Sequence, residues 1–182
     1  MPKLTRRSLI LGATATTASV VLAGCARVPA SPAGPLEPLT LDQAFVGQLR
    51  GRGVFRVDLT GDERRFTADL NGTLRGDRLT VVEDFVYEDG QADRLTWVFD
   101  RAGPGRWTGQ REDTVGRAEV IELGTEIRLT YTADFRSNEG ITRLDFADVL
   151  YRAPDGGRII NDAVVRRWGL PVARVRFEMT PA

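Results

Sequence analysis

Carboxylates and one phenol are the side chains in this sequence best suited to acid–base chemistry. The candidates are Asp84, Asp113, Asp148 and Tyr151. Such chemistry requires groups whose pKa values are tuned within a shared pocket. If the protein is an enzyme of this kind, we expect these four side chains to converge in one cavity.

Other catalytic chemistries are excluded by the residues that the sequence lacks. It contains no histidine, its only lysine is Lys3, and the only serines after Cys25 are Ser31 and Ser137. A Ser-His-Asp or Cys-His nucleophile is therefore excluded, and so is a zinc site of the usual His/Cys kind. No cofactor motif is present, so we expect neither a cofactor nor a metal ion.

A binding pocket is the alternative use for the same residues. The candidate pocket residues are Asp84, Tyr87, Arg94, Trp97, Asp113, Asp148, Tyr151 and Asn161. Alternation along a strand places Glu83 on one face with Phe85 and Tyr87, and Asp84 on the other. One carboxylate of this acidic cluster is expected inside the barrel, paired with Arg94 on the next strand, and apolar neighbours favour partial burial of Asp84.

Several of these residues, and other polar and aromatic residues near them, also have a purely structural interpretation. Glu88 and Asp89 belong to a hairpin turn, because Asp-Gly is a strong turn signal. Asp113 either caps a turn or lies at the mouth of a barrel, and Asn161 either orients a ligand or satisfies a backbone group. Arginines on the strands, Arg143, Arg174 and Arg176, suit an anionic head group or cross-strand pairing with acids on an outer face. The tryptophans Trp97, Trp107 and Trp168 suit a core or the end of a barrel.

Strands are the elements that must position these groups. About ten short runs of alternating apolar and polar residues follow one another, beginning with Val54–Leu59, and turn sequences such as "TGDE" and "PDGG" separate them. Short connections favour antiparallel hairpins. We predict an all-β fold, an antiparallel up-and-down β-barrel of the lipocalin-like sort, with a two-layer sandwich as the alternative. A short helix is predicted within "TLDQAFVGQL" from the capping-box spacing of Thr40 and Gln43.

The N-terminal region has the layout of an export signal. A basic start is followed by a moderately apolar run from Leu9 to Ala23 and then by Cys25. Prolines recur every third residue from Pro29 to Pro38, as in a polyproline II helix. We therefore predict a signal over residues 1–24, a Pro-rich tether over residues 25–40 and a barrel domain over residues 41–182.

Two short motifs in this region resemble known export signals. "TRRSLI", with Arg6 and Arg7, resembles a twin-arginine signal. "LAGC", with Leu22, Ala23 and Gly24 before Cys25, resembles the lipobox of bacterial lipoproteins. The resemblance implies cleavage before Cys25 and lipidation of that residue, which would anchor the protein on the periplasmic side of the bacterial cell envelope. Ala26 after the cysteine favours the outer membrane.

A further set of motifs spans the predicted barrel. They are "EDFVYEDG" at Glu83–Gly90, "DTVGRA" at Asp113–Ala118, "DFAD" at Asp145–Asp148, "IIND" at Ile159–Asp162 and "RWG" ending at Gly169. In this order and spacing they resemble the bacterial lipoprotein family catalogued as domain of unknown function 3833. The resemblance covers roughly residues 43–179 and implies a lipocalin-like barrel on a lipoprotein, without an established activity. The family tends to have two adjacent acids where Ala147 and Asp148 stand here.

Charge argues against one class of partner. Removing Lys3, Arg6 and Arg7 from 25 basic residues, against 25 acidic ones, leaves the mature chain with a net charge of −3. Nucleic-acid binding needs a clustered positive surface. We expect a membrane partner through the lipid anchor, and an apolar or amphipathic ligand, such as a lipid, in the barrel. A structural role at the envelope and a carboxylate-based enzyme are the alternatives.

Overall fold

The computed structural model describes residues 29–34, 36–137 and 140–182 of the chain. Within these ranges the chain forms one short helix followed by ten β-strands. The elements are α1 (Leu41–Phe45), β1 (Gly47–Val57), β2 (Glu63–Arg75), β3 (Arg78–Tyr87), β4 (Ala92–Gly103), β5 (Arg106–Gln110), β6 (Ala118–Glu122), β7 (Glu126–Ser137), β8 (Gly140–Arg152), β9 (Ile159–Arg167) and β10 (Leu170–Pro181).

The predicted export signal lies outside the described residues. This applies to residues 1–24, including Arg6, Arg7 and the stretch 22–24, and to the predicted lipidation site Cys25. Within the described part of the chain, no helix has the length and apolarity that crossing a bilayer requires.

The ten strands form a closed antiparallel barrel in which each strand pairs with its sequence neighbours. Closure is made by β1 and β10, whose register runs from Leu49 opposite Pro181 to Val57 opposite Ala173. The predicted up-and-down barrel is therefore confirmed, and the sandwich is not formed. A closed sheet leaves no free edge for pairing with other chains.

The first strand begins earlier than the sequence predicted. Alternation suggested a start at Val54, but β1 begins at Gly47, and Leu59 lies in the loop after it. The reason is that Gly51 and Gly53 occupy inward positions, where the rings of Phe177 and Phe66 lie directly against the backbone. Glycine at such a position marks a close approach and interrupts the apolar pattern that identifies a strand.

Paired charges cover much of the outer face. Arg50 lies opposite Asp69, and Arg78 lies opposite Asp100, with ion-pair distances of 3.2 and 2.7 Å. Exposed pairs of this kind each contribute only about 0–1 kcal/mol. Their main effect is on register, because a one-residue slip would turn every charged side chain into the core.

One end of the barrel is closed by α1. Leu41, Ala44 and Phe45 are buried there, and the absence of a side chain at Gly72 lets the Phe45 carbonyl lie against β2. One carboxylate oxygen of Glu122 accepts hydrogen bonds from the Leu41 amide at 2.8 Å and from the Trp107 indole at 2.9 Å. These bonds tie the helix to the barrel wall, and the Thr40 amide bonds Gln43 as the predicted cap requires.

Part of the predicted tether lies against the barrel. Leu39 is fully buried and its amide donates to the Gly124 carbonyl at 2.8 Å. Leu36 packs on an outward-facing apolar cluster that includes Val149, Tyr151 and Ile160. Residues 36–40 therefore belong to the packed structure, although the sequence pattern assigned them to the tether.

The opposite end of the barrel is its mouth. The loops between β1 and β2, β3 and β4, β5 and β6, and β9 and β10 surround it. Several large apolar side chains are exposed here, including Leu59, Ile141, Trp168 and Leu170. Trp168 is 84% exposed and adopts a left-handed backbone conformation (φ 53°) beside Gly169. Glycine or asparagine would suit that turn position better, so the turn geometry gives no reason for a tryptophan there.

Candidate functional site

The barrel encloses a cavity of about 870 Å³. On the mouth side, its wall includes the rings of Phe55, Phe85, Phe135 and Phe146. Phe45 of α1 lies at the end that the helix closes. Most of the remaining wall is also apolar. Deep in the cavity the wall is interrupted by a polar cluster formed by Glu83, Arg111, Asp113, Asp148 and Asn161, and further polar residues such as Asp62, Arg64 and Asp93 line it nearer the mouth.

Aromatic stacking shapes one side of the cavity. Tyr131 stacks on Phe146 with 4.7 Å between ring centroids and meets Trp97 edge-on at 5.1 Å. Trp97 in turn stacks on Phe99 at 5.0 Å. Rings in these geometries attract one another through their quadrupoles, which holds this side of the cavity in place.

Arg111 is the charged centre of the cavity. Its Nε and Nη2 atoms donate to the two carboxylate oxygens of Asp113 at 2.7 and 2.9 Å. Its Nη1 atom lies 3.6 Å from Oε2 of Glu83, which is close enough for ionic attraction but too long for a hydrogen bond. The guanidinium also lies 4.8 Å from the Trp97 ring and 5.3 Å from the Tyr131 ring.

Asp148 and Asn161 form a second polar group on neighbouring strands. The Asn161 amide donates to Oδ2 of Asp148 at 3.0 Å. Along β8, Asp148 lies between the buried Leu144 and Leu150, which belong to different apolar clusters. The polar group therefore separates the apolar packing near the mouth from the packing near α1.

Burial changes the ionisation of both deep carboxyl groups. Glu83 is 6% exposed and Asp148 is 4% exposed. Desolvation raises the pKa of Glu83 to about 7, against the opposing attraction of Arg111. Desolvation likewise raises the pKa of Asp148 to about 7, although the Asn161 hydrogen bond and Arg111 favour its charged form. Both groups therefore change charge near neutral pH.

Comparison with known families identifies the chain. The model for the protein of unknown function family DUF3833 matches residues 19–180. The chain belongs to the DUF3833 family. No curated protein matches it significantly.

Solved structures share the barrel of this DUF3833 protein at low sequence identity. The S-type phycobiliprotein lyase CPES from Guillardia theta is 7% identical with a TM-score of 0.52, covering 74% of this chain and 85% of its own. A DUF3598 protein of unknown function from Nostoc punctiforme is 12% identical with a TM-score of 0.50, covering 82% of this chain and 52% of its own. A designed fluorescence-activating β-barrel is 10% identical with a TM-score of 0.43, covering 79% of this chain and 99% of its own. The first two similarities show a common fold.

Five of the eight predicted pocket residues line the cavity of the DUF3833 barrel. They are Tyr87, Trp97, Asp113, Asp148 and Asn161. They come from β3, β4, the loop after β5, β8 and β9, so the closed sheet brings together residues far apart in sequence.

Asp84 and Arg94 lie outside the cavity. They face each other across β3 and β4, where Arg94 Nη2 donates to Asp84 Oδ2 at 2.9 Å. Their side chains are 45% and 70% exposed, so the pair belongs to the outer face. The hydrogen bond from Arg94 holds the pKa of Asp84 below its usual value, as expected for an exposed ion pair.

Tyr151 also lies outside the cavity. It packs under Leu36 on the outer wall, and its hydroxyl donates to Oδ2 of Asp162 at 2.8 Å. The arginines considered for anionic head groups form outer-face pairs instead. Arg143 donates to Asp134, Arg174 to Asp58 and Arg176 to Asp162.

Among the cavity residues that the sequence did not predict are Glu83, Arg111 and Tyr131, which lie in or beside the deep polar cluster. Alternation could have identified two of them, because Trp107, Gly109 and Arg111 share one face, as do Leu129 and Tyr131. Among the described residues, no three carboxylates converge closely enough to hold a metal ion.

A second depression, of about 930 Å³, lies on the outer face across β1, β2 and β10. Its charged side chains pair with one another, for example Arg56 with Glu63 at 3.9 Å and Arg176 with Asp162 at 3.3 Å. These groups are accessible to water and need no ligand to satisfy them. The barrel cavity, with its buried and incompletely bonded polar groups, is therefore the candidate site.

Proposed function

We propose that this DUF3833 protein is an envelope-anchored binding protein that holds a small apolar or amphipathic ligand inside its barrel. The observation that carries the proposal is the cavity of about 870 Å³ within a closed barrel. Ligand pockets for small molecules have volumes of about 300–1,000 Å³, with apolar walls and a few placed polar groups.

The distribution of side chains supports binding over catalysis. A carboxylate-based enzyme required Asp84, Asp113, Asp148 and Tyr151 to converge. Asp113 and Asp148 line the cavity, whereas Asp84 and Tyr151 lie on the outer face. Most residues of the cavity wall belong to hydrogen-bonded strands, which suits a preformed binding site.

Ligand binding is tested by filling the cavity. Ala163 is buried on the inner face of β9 and lines the cavity, so Ala163→Phe places a ring in the lumen. Wild-type protein purified from its native host is expected to release a bound small molecule on denaturation, detected by native mass spectrometry. The Ala163→Phe variant is expected to retain less than a tenth as much.

The matched control is Thr130→Phe, which adds a ring on the exposed face of β7. It should retain the bound molecule at the wild-type level. Repeated absence of any bound molecule from wild-type protein, or equal retention by both variants, would contradict the proposal.

The anchoring part of the proposal rests on the lipobox-like "LAGC" sequence ending at Cys25. Acyl chains contribute about 0.8 kcal/mol per buried CH₂, and two or more chains give stable membrane attachment. We place the protein on the periplasmic side of the envelope, on the outer membrane in preference to the inner one.

Cys25→Ala should move the protein out of the membrane fraction. Full-length wild-type protein, expressed in a bacterial host, is expected to sediment with membranes and to incorporate a fatty-acid label. The Cys25→Ala variant should incorporate none. A wild-type protein that stays unlabelled and soluble would exclude the anchor, but would leave the binding proposal intact.

A further inference from the structure

Three buried oxygen atoms in the cavity have no hydrogen-bond donor among the described residues. They are Oε2 of Glu83, Oδ1 of Asp148 and Oδ1 of Asn161. All three are acceptors. A buried acceptor without a partner costs about 1–3 kcal/mol, so such atoms in a binding cavity point to a ligand that donates.

The cavity offers little to an anionic ligand. Two arginines of the described chain line it, and both are already paired with carboxylates. Arg111 bonds both oxygens of Asp113, and Arg64 near the mouth donates to Asp89 and Gln91. A carboxylate or phosphate placed beside Glu83 and Asp148 would meet like charge rather than a free cation.

A cation is favoured by the charge balance and by the aromatic wall. The deep polar groups comprise the carboxyls of Glu83, Asp113 and Asp148 against the single guanidinium of Arg111. Negative charge is therefore in excess whenever these acids are ionised. Trp97 and Tyr131 add ring faces of the kind that stabilise cations, as their contacts with Arg111 illustrate.

We propose that the ligand carries a protonated amine on an apolar body, with the ammonium group bound by Glu83, Asp148 and Asn161. This inference rests on the proposed function, because it names the chemical class that the same cavity takes. An ammonium has three donors and no acceptor, which matches three unpartnered acceptors. The apolar body lies among the aromatic residues on the mouth side.

The test compares three probes that share a twelve-carbon chain and differ in the head group. Dodecylamine, dodecanol and dodecanoate are titrated at pH 8 into the purified full chain, below their micelle-forming concentrations, with affinity measured by calorimetry. Dodecylamine is expected to bind at least tenfold more tightly than the other two. Equal affinities, or tightest binding of dodecanoate, would overturn the inference.

Charge variants assign the selectivity to the proposed residues. Asp148→Asn and Glu83→Gln are each expected to weaken dodecylamine binding at least tenfold while changing dodecanol affinity less than threefold. The control is Asp84→Asn, which removes a carboxylate from the outer face and should leave dodecylamine affinity unchanged. A variant effect equal for dodecylamine and dodecanol would also overturn the inference.

The pH profile gives a readout that loss of folding would not reproduce. Dodecylamine affinity should rise between pH 5 and pH 8 as Glu83 and Asp148 lose their protons, whereas dodecanol affinity should not. The groups that act on these two acids, besides each other, are Arg111, Glu112, Asp113, Tyr131 and Asn161. If none of the three probes binds, the proposed function fails as well. If all bind alike, only the ammonium assignment fails.

Discussion

Replacing Arg111 with leucine is expected to lower the free energy of unfolding by about 3–5 kcal/mol at pH 8. The leucine would leave Glu83 and Asp113 without the guanidinium that lies between them. Removing one partner of a buried ion pair is costly because the remaining charge is neither solvated nor compensated. Urea denaturation followed by tryptophan fluorescence measures the change.

The loss should be smaller at pH 5 than at pH 8. Arg111 opposes the burial that raises the pKa of Glu83, so its removal raises that pKa above the value of about 7. At pH 5, Glu83 then binds a proton in the folded state and carries no charge. The double variant Arg111→Leu/Glu83→Gln should recover part of the stability at pH 8.

Arg94→Leu is the matched control, because it breaks an exposed arginine–aspartate pair between β3 and β4. Exposed pairs contribute about 0–1 kcal/mol, so this variant should differ little from wild type. A loss below 1 kcal/mol for Arg111→Leu at pH 8 would show that Arg111 does not compensate buried charge.

Asp148→Asn is expected to stabilise the ligand-free protein by about 2–4 kcal/mol at pH 8. The pKa of Asp148 is about 7 in the folded protein, above the usual aspartate value of 3.8. Below pH 4 the group is protonated in both states and contributes nothing. Between pH 4 and pH 7 the unfolded chain releases the proton first, so stability falls as pH rises.

The gain from Asp148→Asn should therefore be absent near pH 3 and complete above pH 7. Thermal unfolding at several pH values, with ligand removed, measures it. Asp84→Asn again serves as the control, since the folded state lowers the pKa of that group and its removal should not stabilise the protein. A destabilised Asp148→Asn variant at pH 8 would show that the charged form is compensated within the free protein.

The cavity therefore combines a guanidinium that stabilises the fold, Arg111, with a buried carboxyl that destabilises it when ionised, Asp148. If the Asp148→Asn protein is more stable but no longer prefers an amine, then the charge of Asp148 serves ligand binding and lowers the stability of the ligand-free protein. Strain or uncompensated charge of this kind is concentrated at functional sites, where a ligand supplies the missing partner.

The barrel could be predicted from the sequence because its local signals agree. Strand alternation, glycine-containing turns and short connections all favour antiparallel hairpins, and closure follows from the number of strands. The exception was the start of β1. There Gly51 and Gly53 replace inward apolar residues to make room for Phe66 and Phe177, and no local pattern identifies those partners.

The cavity was harder to predict because the inward face of a strand is ambiguous when both faces carry apolar residues. In β3 the inward row contains Leu79, Val81 and Glu83, but Val82 and Val86 on the outer row gave Asp84 apolar neighbours as well. The sequence pattern separated Glu83 from Asp84 correctly. It could not decide which of the two faced inward, since that depends on the pairing of the closed sheet.

Tyr151 illustrates a different limit of predicting a cavity residue from sequence. The sequence predicted it in the pocket, and it is buried, at 7% exposure, but on the outer wall. The burial comes from Leu36, which reaches the outer wall from a segment more than a hundred residues earlier. A barrel residue can therefore be buried on either side of the wall once a terminal segment covers it.

One end of the barrel is closed by α1, which lies against Gly72 and is tied to the wall by the Glu122 carboxylate that bonds both the Leu41 amide and the Trp107 indole. Ligand exchange in a barrel with one open end is sequential, because an incoming molecule cannot displace the bound ligand through the closed end. Exchange then proceeds at the pace of spontaneous departure, however abundant the competitor becomes. A ligand held in the barrel would therefore stay for a time set by its own departure through the mouth, because the helix closes the other end.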